Sequence, residues 1–157
     1  MLRRISLAVA VVLAAAFCAR IAGAEILIGV AGPMTGKDAW FGEQLERGAA
    51  LAVADLNAAG GVLRGQVQLI AADDFCDPEQ AVAAAQKLVS DGVIFVIGHF
   101  CSGASIPASA IYEAAGVLQI SPASSNPMLT ELSRDNGFRV THRDDAAGIV
   151  AGNYLAD

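Results

Sequence analysis

The side chains best suited to chemistry stand close together at residues 99–102, which read His-Phe-Cys-Ser. His99, Cys101 and Ser102 are the residue types of a nucleophile with its general base, so a hydrolase has to be considered. No G-x-S-x-G elbow surrounds Ser102, and no third group that would orient His99 is evident. We therefore expect no catalysis, and we expect a backbone group at a strand end to satisfy the ring of His99.

Ser102 and Ser125 are better suited to binding an anion without catalysis. Each follows a short apolar run and precedes a helical pattern, and hydroxyls and free N–H groups at helix starts favour a carboxylate. Trp40 or Phe41, together with Phe100, could line the apolar part of the same ligand. Serine also caps helices for structural reasons alone, so this pattern does not establish a site by itself.

Residues 31–38 read AGPMTGKD and come close to a phosphate-binding P-loop. The motif requires glycine at its first position and a serine or threonine after the lysine to hold magnesium. Ala31 and Asp38 stand at those two positions, and the carboxylate of Asp38 would repel phosphates. We therefore expect no nucleotide and no other cofactor.

Asp73, Asp74 and Asp77 place three acids within five residues, which raises the question of a cation site. Their spacing does not match a calcium loop, which needs alternate oxygen ligands, a glycine and a distal glutamate. Asp77 instead fits the N-cap of a helix that has Pro78 at its first position and Gln80 at its third. This second interpretation predicts no metal.

Short apolar runs alternate with helical patterns after residue 24. The predicted strands are 25–32, 66–72, 93–97, 117–120 and 138–141, and the predicted helices are 41–59, 78–90, 104–115, a short one near 127, and 144–157. This alternation predicts an α/β fold, a parallel sheet flanked by helices on both faces. Ligands of such sheets bind beyond the carboxyl ends of the strands, where the loops 33–41, 98–103 and 121–125 lie.

Residues 1–24 have the pattern of a secretory signal peptide. Two arginines precede an uncharged run from 5 to 17, and small residues at 22–24 offer a cleavage site. The run is too short to span a bilayer comfortably, which disfavours a membrane anchor. Phe17 before Cys18 disfavours lipidation, which needs a small residue there.

Removal of this leader makes the chain clearly acidic. Residues 1–24 contain three of the ten basic residues and none of the sixteen acidic ones, which leaves a formal net charge of −9. Because no basic patch remains to hold a phosphate backbone, nucleic acid is not an expected partner. The remaining length is sufficient for one core of ordinary domain size.

Cys76 and Cys101 are the two cysteines that remain after residue 24. Exported chains with two cysteines usually pair them, since the compartment outside the cytoplasm is oxidising. A bridge would close a loop of about 26 residues and contribute about 3 to 4 kcal/mol in the chain-entropy model. Two free buried thiols are the alternative.

From Ile26 to its end, the chain resembles the leucine/isoleucine/valine-binding proteins, the periplasmic solute receptors of branched-chain amino acid ABC transporters. The motifs that carry the resemblance follow in the family's order and approximate spacing: PMTG, FGEQ, ADLNAAGG, CDPEQAV, VIGHFCS, PAS and SPASSNP. The resemblance implies a monomeric, two-lobed receptor of the periplasmic-binding-protein type I fold that closes over an amino acid and passes it to a membrane permease. A sensor of the same fold without transport is the alternative.

The resemblance also assigns roles to individual residues. Ser102 would bind the ligand carboxylate through its hydroxyl and N–H, and Ser125, where the family commonly has threonine, would assist. The carbonyl of Ala123 would accept from the ligand ammonium. Phe41 stands where relatives carry Tyr or Trp against the ligand side chain, and Phe100 where they carry Leu.

The same comparison implies a boundary between two lobes and a disulfide. Residues 25–143 would form the first lobe and 144–157 would begin a second lobe, so we expect the chain to be an N-terminal part of a longer protein. Cys76 and Cys101 match the family's disulfide. The acidic partner of the ligand ammonium belongs to the second lobe, which leaves the preferred amino acid open.

Overall fold

The computed structural model describes residues 25–132 and 135–156, so the signal peptide expected at 1–24 lies outside the described residues. The strands are β1 (Ile26–Gly32), β2 (Val67–Asp73), β3 (Phe95–Gly98), β4 (Leu118–Ser121) and β5 (Gly137–Arg139). The helices are α1 (Ala39–Ala58), α2 (Pro78–Ser90), α3 (Ser102–Ala115), α4 (Met128–Leu132) and α5 (Asp144–Ala156). Within the described ranges, no helix combines the length and apolar character that crossing a membrane requires.

The strands form one parallel sheet in the order β2-β1-β3-β4-β5, as the alternation of strands and helices predicts. A Cβ added to Gly29 would lie 3.1 Å from Leu88 of α2, and one added to Gly32 would lie 3.1 Å from Leu45 of α1. Residues three apart on a strand point to opposite faces. Helix α1 therefore covers one face of the sheet, and α2 packs on the other together with α3.

The core lies mainly between the sheet and the pair α2 and α3. The buried residues of α2 are Ala81, Ala84, Ala85 and Leu88. Val82 and Val89 are only half-buried. The small alanines let α2 lie close to α3, which favours them over valine at the centre of the contact.

Helix α1 covers its face of the sheet only partly. Of the apolar residues spaced three or four apart along α1, Ala49 is buried and Leu45 and Val53 are half-buried, whereas Leu56 is 41% exposed. Helix α1 contacts β1, β2 and β3. On β4 and β5, Leu118 and Phe138 remain 36% and 48% exposed, so this part of the sheet face is open.

Two boundaries near the predicted ligand loops differ from the sequence prediction. Strand β3 begins at Phe95 and ends at Gly98, whereas the apolar run predicted 93–97. Helix α3 begins at Ser102, two residues earlier than predicted, because extended Cys101 takes the N-cap position. Ser102 is therefore the first residue of a helix and not part of a loop.

Candidate ligand-binding site

The corner after β3 requires glycine. Gly98 has a φ of +145°, and a Cβ there would lie 2.2 Å from the carbonyl oxygen of Ala31 on β1. The peptide bond that follows, between Gly98 and His99, is cis. Glycine thus lets the end of β3 lie directly against β1, and the chain turns there into residues 99–101.

The ring of His99 is fully buried and satisfied by side chains, so the expected backbone partner was wrong. Its Nδ1 lies 2.5 Å from Oδ2 of Asp74, and its Nε2 lies 3.0 Å from the hydroxyl of Tyr112. Asp74 is also fully buried. Burial, aided by the charge of Asp74, raises the pKa of Tyr112 above its usual range, so this hydroxyl stays protonated.

This pairing weakens the hydrolase interpretation. Asp74 is the orienting acid that the sequence did not reveal, but the second ring nitrogen of His99 contacts Tyr112 and not Ser102. A general base has to lie within hydrogen-bond reach of its nucleophile. The buried hydrogen bonds from Asp74 to His99 and from His99 to Tyr112 instead connect the end of β2, the corner after β3 and helix α3.

The main-chain carbonyl of His99 joins the two predicted ligand loops. It accepts from the hydroxyls of Ser121 at 2.7 Å, Ser105 at 3.0 Å and Ser124 at 3.3 Å. Ser124 also lies 3.1 Å from the carbonyl of Phe100. Hydroxyls from β4 and the following loop therefore hold that loop against residues 99–100.

A disulfide joins Cys76 and Cys101, with their Cα atoms 5.4 Å apart, in agreement with the pairing expected of an exported chain. Phe75 and Cys76 both have positive φ, a conformation uncommon outside glycine. Hydrogen bonds from their N–H groups to the carboxylates of Asp73 and Asp74 hold this turn, at 3.0 and 2.8 Å. The bridge fixes the residue directly before Ser102.

Asp73, Asp74 and Asp77 each accept hydrogen bonds within the protein. Asp77 caps α2 by accepting from the N–H groups of Glu79 and Gln80, with Pro78 at the start of the helix, as predicted. Within the described ranges, no three His, Cys, Asp or Glu side chains are grouped as a metal site would require.

Asp73 holds the segment that resembles a P-loop. It accepts from the N–H of Met34 at 2.9 Å and from the hydroxyl of Thr35 at 2.5 Å. Burial opposes the ionised form, but hydrogen bonds from Thr35, Phe75 and Met34 outweigh it and lower the pKa of Asp73. A carboxylate thus occupies an N–H group that a phosphate would need.

Ser102 and Ser125 lie on neighbouring segments at the carboxyl edge of the sheet. The hydroxyl of Ser102 accepts from the N–H of Asn126, the residue after Ser125, at 3.3 Å. The carbonyl of Ser125 accepts from the N–H of Asp144 at 3.1 Å. Neither the N–H nor the hydroxyl of Ser125 has a hydrogen-bond partner within the part of the chain that the structure describes.

The predicted apolar wall is formed by two stacked rings. The centroids of Phe41 and Phe100 are 4.3 Å apart, with an interplanar angle of 24°. Both rings and Ala123 line a pocket of about 410 Å³, which Ser102 and Ser125 do not line. Trp40 packs against Phe41 but is 56% exposed.

Arg139 on β5 makes several hydrogen bonds to residues 124–130, a role that the sequence did not predict. Its guanidinium donates to the carbonyls of Ser124, Asn126 and Pro127 and to the hydroxyl of Thr130, at 2.8 to 3.2 Å. One signal was available, because a lone arginine between apolar Phe138 and Val140 in a predicted strand must point to the opposite face from its neighbours.

Comparison with protein-family models matches residues 25–157 to a family described as periplasmic binding protein. The chain belongs to the periplasmic binding protein family. The parallel sheet with helices on both faces agrees with this membership and with the fold class predicted from the sequence.

Relatives and solved structures of this family match this chain over most of its length. An "Amino acid binding protein" of Pseudomonas aeruginosa is 51% identical over 135 residues, 85% of this chain and 36% of the relative. A "Leu/Ile/Val-binding protein homolog 2" of Brucella abortus is 52% identical over 134 residues, with the same coverage of 85% and 36%. The chain therefore spans about a third of the length of these relatives.

A crystal structure of an ABC transporter substrate-binding protein from Desulfitobacterium hafniense, in complex with Leu, has a TM-score of 0.74 to this chain. It is 39% identical, and the match covers 85% of this chain and 39% of that one. The names of these three proteins describe binding and not catalysis, in keeping with a non-enzymatic family.

Proposed function

We propose that this chain is the first lobe of a periplasmic receptor that binds leucine, isoleucine, valine or a related amino acid and delivers it to an ABC permease. The observation that carries the proposal is the position of Ser125. Its N–H and hydroxyl have no hydrogen-bond partner within the described residues. It precedes Asn126, whose N–H donates to the hydroxyl of Ser102. The relatives named for amino acids or for leucine, isoleucine and valine support this ligand class.

The polar part of the ligand binds at the two serines. The N–H of Ser102 lies in the first turn of α3, where helix N–H groups lack intrahelical acceptors and the dipole favours an anion. Its hydroxyl and the N–H and hydroxyl of Ser125 complete a set of donors for the α-carboxylate. The carbonyl of Ala123 accepts from the ammonium group.

The apolar part of the ligand packs on the stacked rings of Phe41 and Phe100. An aliphatic side chain gains from burial against aromatic carbon roughly in proportion to the apolar area it removes from water. Since Phe100 lies two residues before Ser102 and on the wall of the pocket, it links recognition of the two ends of the ligand.

One lobe supplies one side of the cleft. Helix α5 has no buried residue among those the structure describes, and its apolar side chains include Ile149, Val150 and Tyr154, 65% to 82% exposed. We infer that residues 144–157 begin a second lobe, which packs against these side chains and closes over the ligand. The frame downstream of Asp157 tests this inference, since it predicts coding sequence for that lobe.

Replacement of Ser102 by alanine tests the site. In the complete gene product, Ser102→Ala should raise the Kd for leucine about tenfold or more, because a hydrogen bond to a charged group contributes about 1.5 to 3 kcal/mol. Isothermal titration measures the change. Ser90→Ala is the control, since its exposed hydroxyl bonds the carbonyl of Lys87 on α2. Equal affinities for the Ser102→Ala variant and the wild type would remove Ser102 from the site.

Delivery to a permease is a separate part of the proposal. A receptor for transport is expected to have permease and ATPase genes beside its own gene, whereas a sensor is not. Loss of leucine uptake on deletion of the gene, with uptake restored by the wild-type gene, would support transport. Unchanged uptake of every amino acid that the protein binds would favour the sensor.

A further inference from the structure

Arg139 lies behind the loop that carries Ser125 and bonds it at several points. Its Nη1 donates to the carbonyls of Ser124 and Asn126, both at 2.8 Å. Its Nη2 donates to the carbonyl of Pro127 at 3.2 Å and to the hydroxyl of Thr130 at 2.9 Å. The planar fork of a guanidinium matches this arrangement, because it presents several donors in a fixed geometry.

The bond from Arg139 to the carbonyl of Ser124 fixes the orientation of the neighbouring N–H of Ser125. The carbonyl of Ser124 and the N–H of Ser125 belong to the same trans peptide unit, and in such a unit the two groups point in opposite directions. With the carbonyl held by Arg139, the N–H of Ser125 is directed away from the guanidinium. It meets no acceptor within the described residues, as a donor reserved for a ligand should.

The guanidinium of Arg139 is partly buried, and burial disfavours its charged form. Its Nε is buried without a hydrogen-bond partner in the described part of the chain. Burial and the neighbouring cation Arg143 lower the pKa of Arg139, while Asp145, Asp144 and Glu131 raise it. An arginine remains protonated at neutral pH, so the guanidinium keeps all of its N–H donors for the loop carbonyls.

We propose that Arg139 is a positioning residue that holds residues 124–127 so that the donors of Ser125 meet the ligand carboxylate. This inference rests on the proposed function, since it assigns a task to Arg139 at the same amino acid site. Arg139 does not touch the ligand in this arrangement and acts through the loop carbonyls. A residue that only stabilised the fold would affect the melting temperature but not the affinity of the folded protein.

The test compares variants of the complete gene product by titration with leucine, well below the melting temperature of each variant. Arg139→Ala should raise the Kd about tenfold or more, and millimolar guanidinium should lower it again by refilling the space with the same donors. Arg47→Ala is the matched control, because it removes an exposed arginine paired only with Glu43 in the described structure. Guanidinium should leave the Kd of the wild type unchanged.

The outcomes separate this inference from the proposed function. A wild type that binds none of the twenty amino acids overturns both. A wild type that binds leucine, with an Arg139→Ala variant of equal affinity or of weakened affinity that guanidinium does not restore, overturns the inference alone. If Arg139→Ala does not fold, Arg139→Lys decides, since it keeps the charge but not the fork and should still raise the Kd several-fold.

Discussion

At the scale of single residues, the sequence predicts Ser102 and Ser125 as ligand-binding candidates, because their types and their place between strand and helix can be read from local pattern. The partners of His99 could not be read in this way. Asp74 and Tyr112 are 25 and 13 residues away along the chain and meet His99 only through the packing of β2 against the corner and of α3 above it. A backbone partner was therefore the natural but wrong expectation.

The Asp74 and His99 pair leads to a prediction about stability. Asp74→Ala removes the carboxylate that lies against Nδ1 of the fully buried His99, and leaving a buried polar group without its partner costs about 1 to 3 kcal/mol. The midpoint of chemical denaturation should fall accordingly. Asp91→Ala, which breaks the more exposed pair of Asp91 with Lys87, should cost about 1 kcal/mol or less. Equal effects of the two substitutions would contradict a structural role for Asp74.

At the scale of elements, apolar periodicity predicted each strand and helix of the described chain, and it predicted the bounds of α2 at Pro78 and Ser90 correctly. The errors lie where tertiary contacts decide. Strand β3 extends to Gly98 because glycine alone tolerates the contact with Ala31. Helix α3 starts early because the disulfide and the corner place Cys101 at its N-cap.

The disulfide is the clearest element-scale test. Cys76→Ser should lower the free energy of unfolding by about 3 to 4 kcal/mol, because the bridge restricts the unfolded chain between β2 and α3. Thermal or chemical denaturation of the mature protein, with and without reductant, measures the loss. Reductant should have no further effect on the Cys76→Ser variant. An unchanged melting temperature would show that the bridge contributes nothing to stability.

At the scale of the whole molecule, the fold class and the family could be predicted from the sequence, since several motifs stand in register over most of its length. The geometry of the cleft could not. The open sheet face beside Phe138 and the exposed side chains of α5 depend on what packs against them. The roles of Phe41, Phe100, Ala123 and both serines toward a ligand remain predictions for the same reason.

Isothermal titration of the complete gene product with each of the twenty amino acids tests the central claim most directly. We predict saturable one-to-one binding of leucine, isoleucine or valine, and much weaker binding by a protein of residues 25–157 alone, which cannot close over a ligand. Absence of heat with all twenty amino acids, from a protein shown to be folded, would contradict the claim that this chain is part of an amino acid receptor.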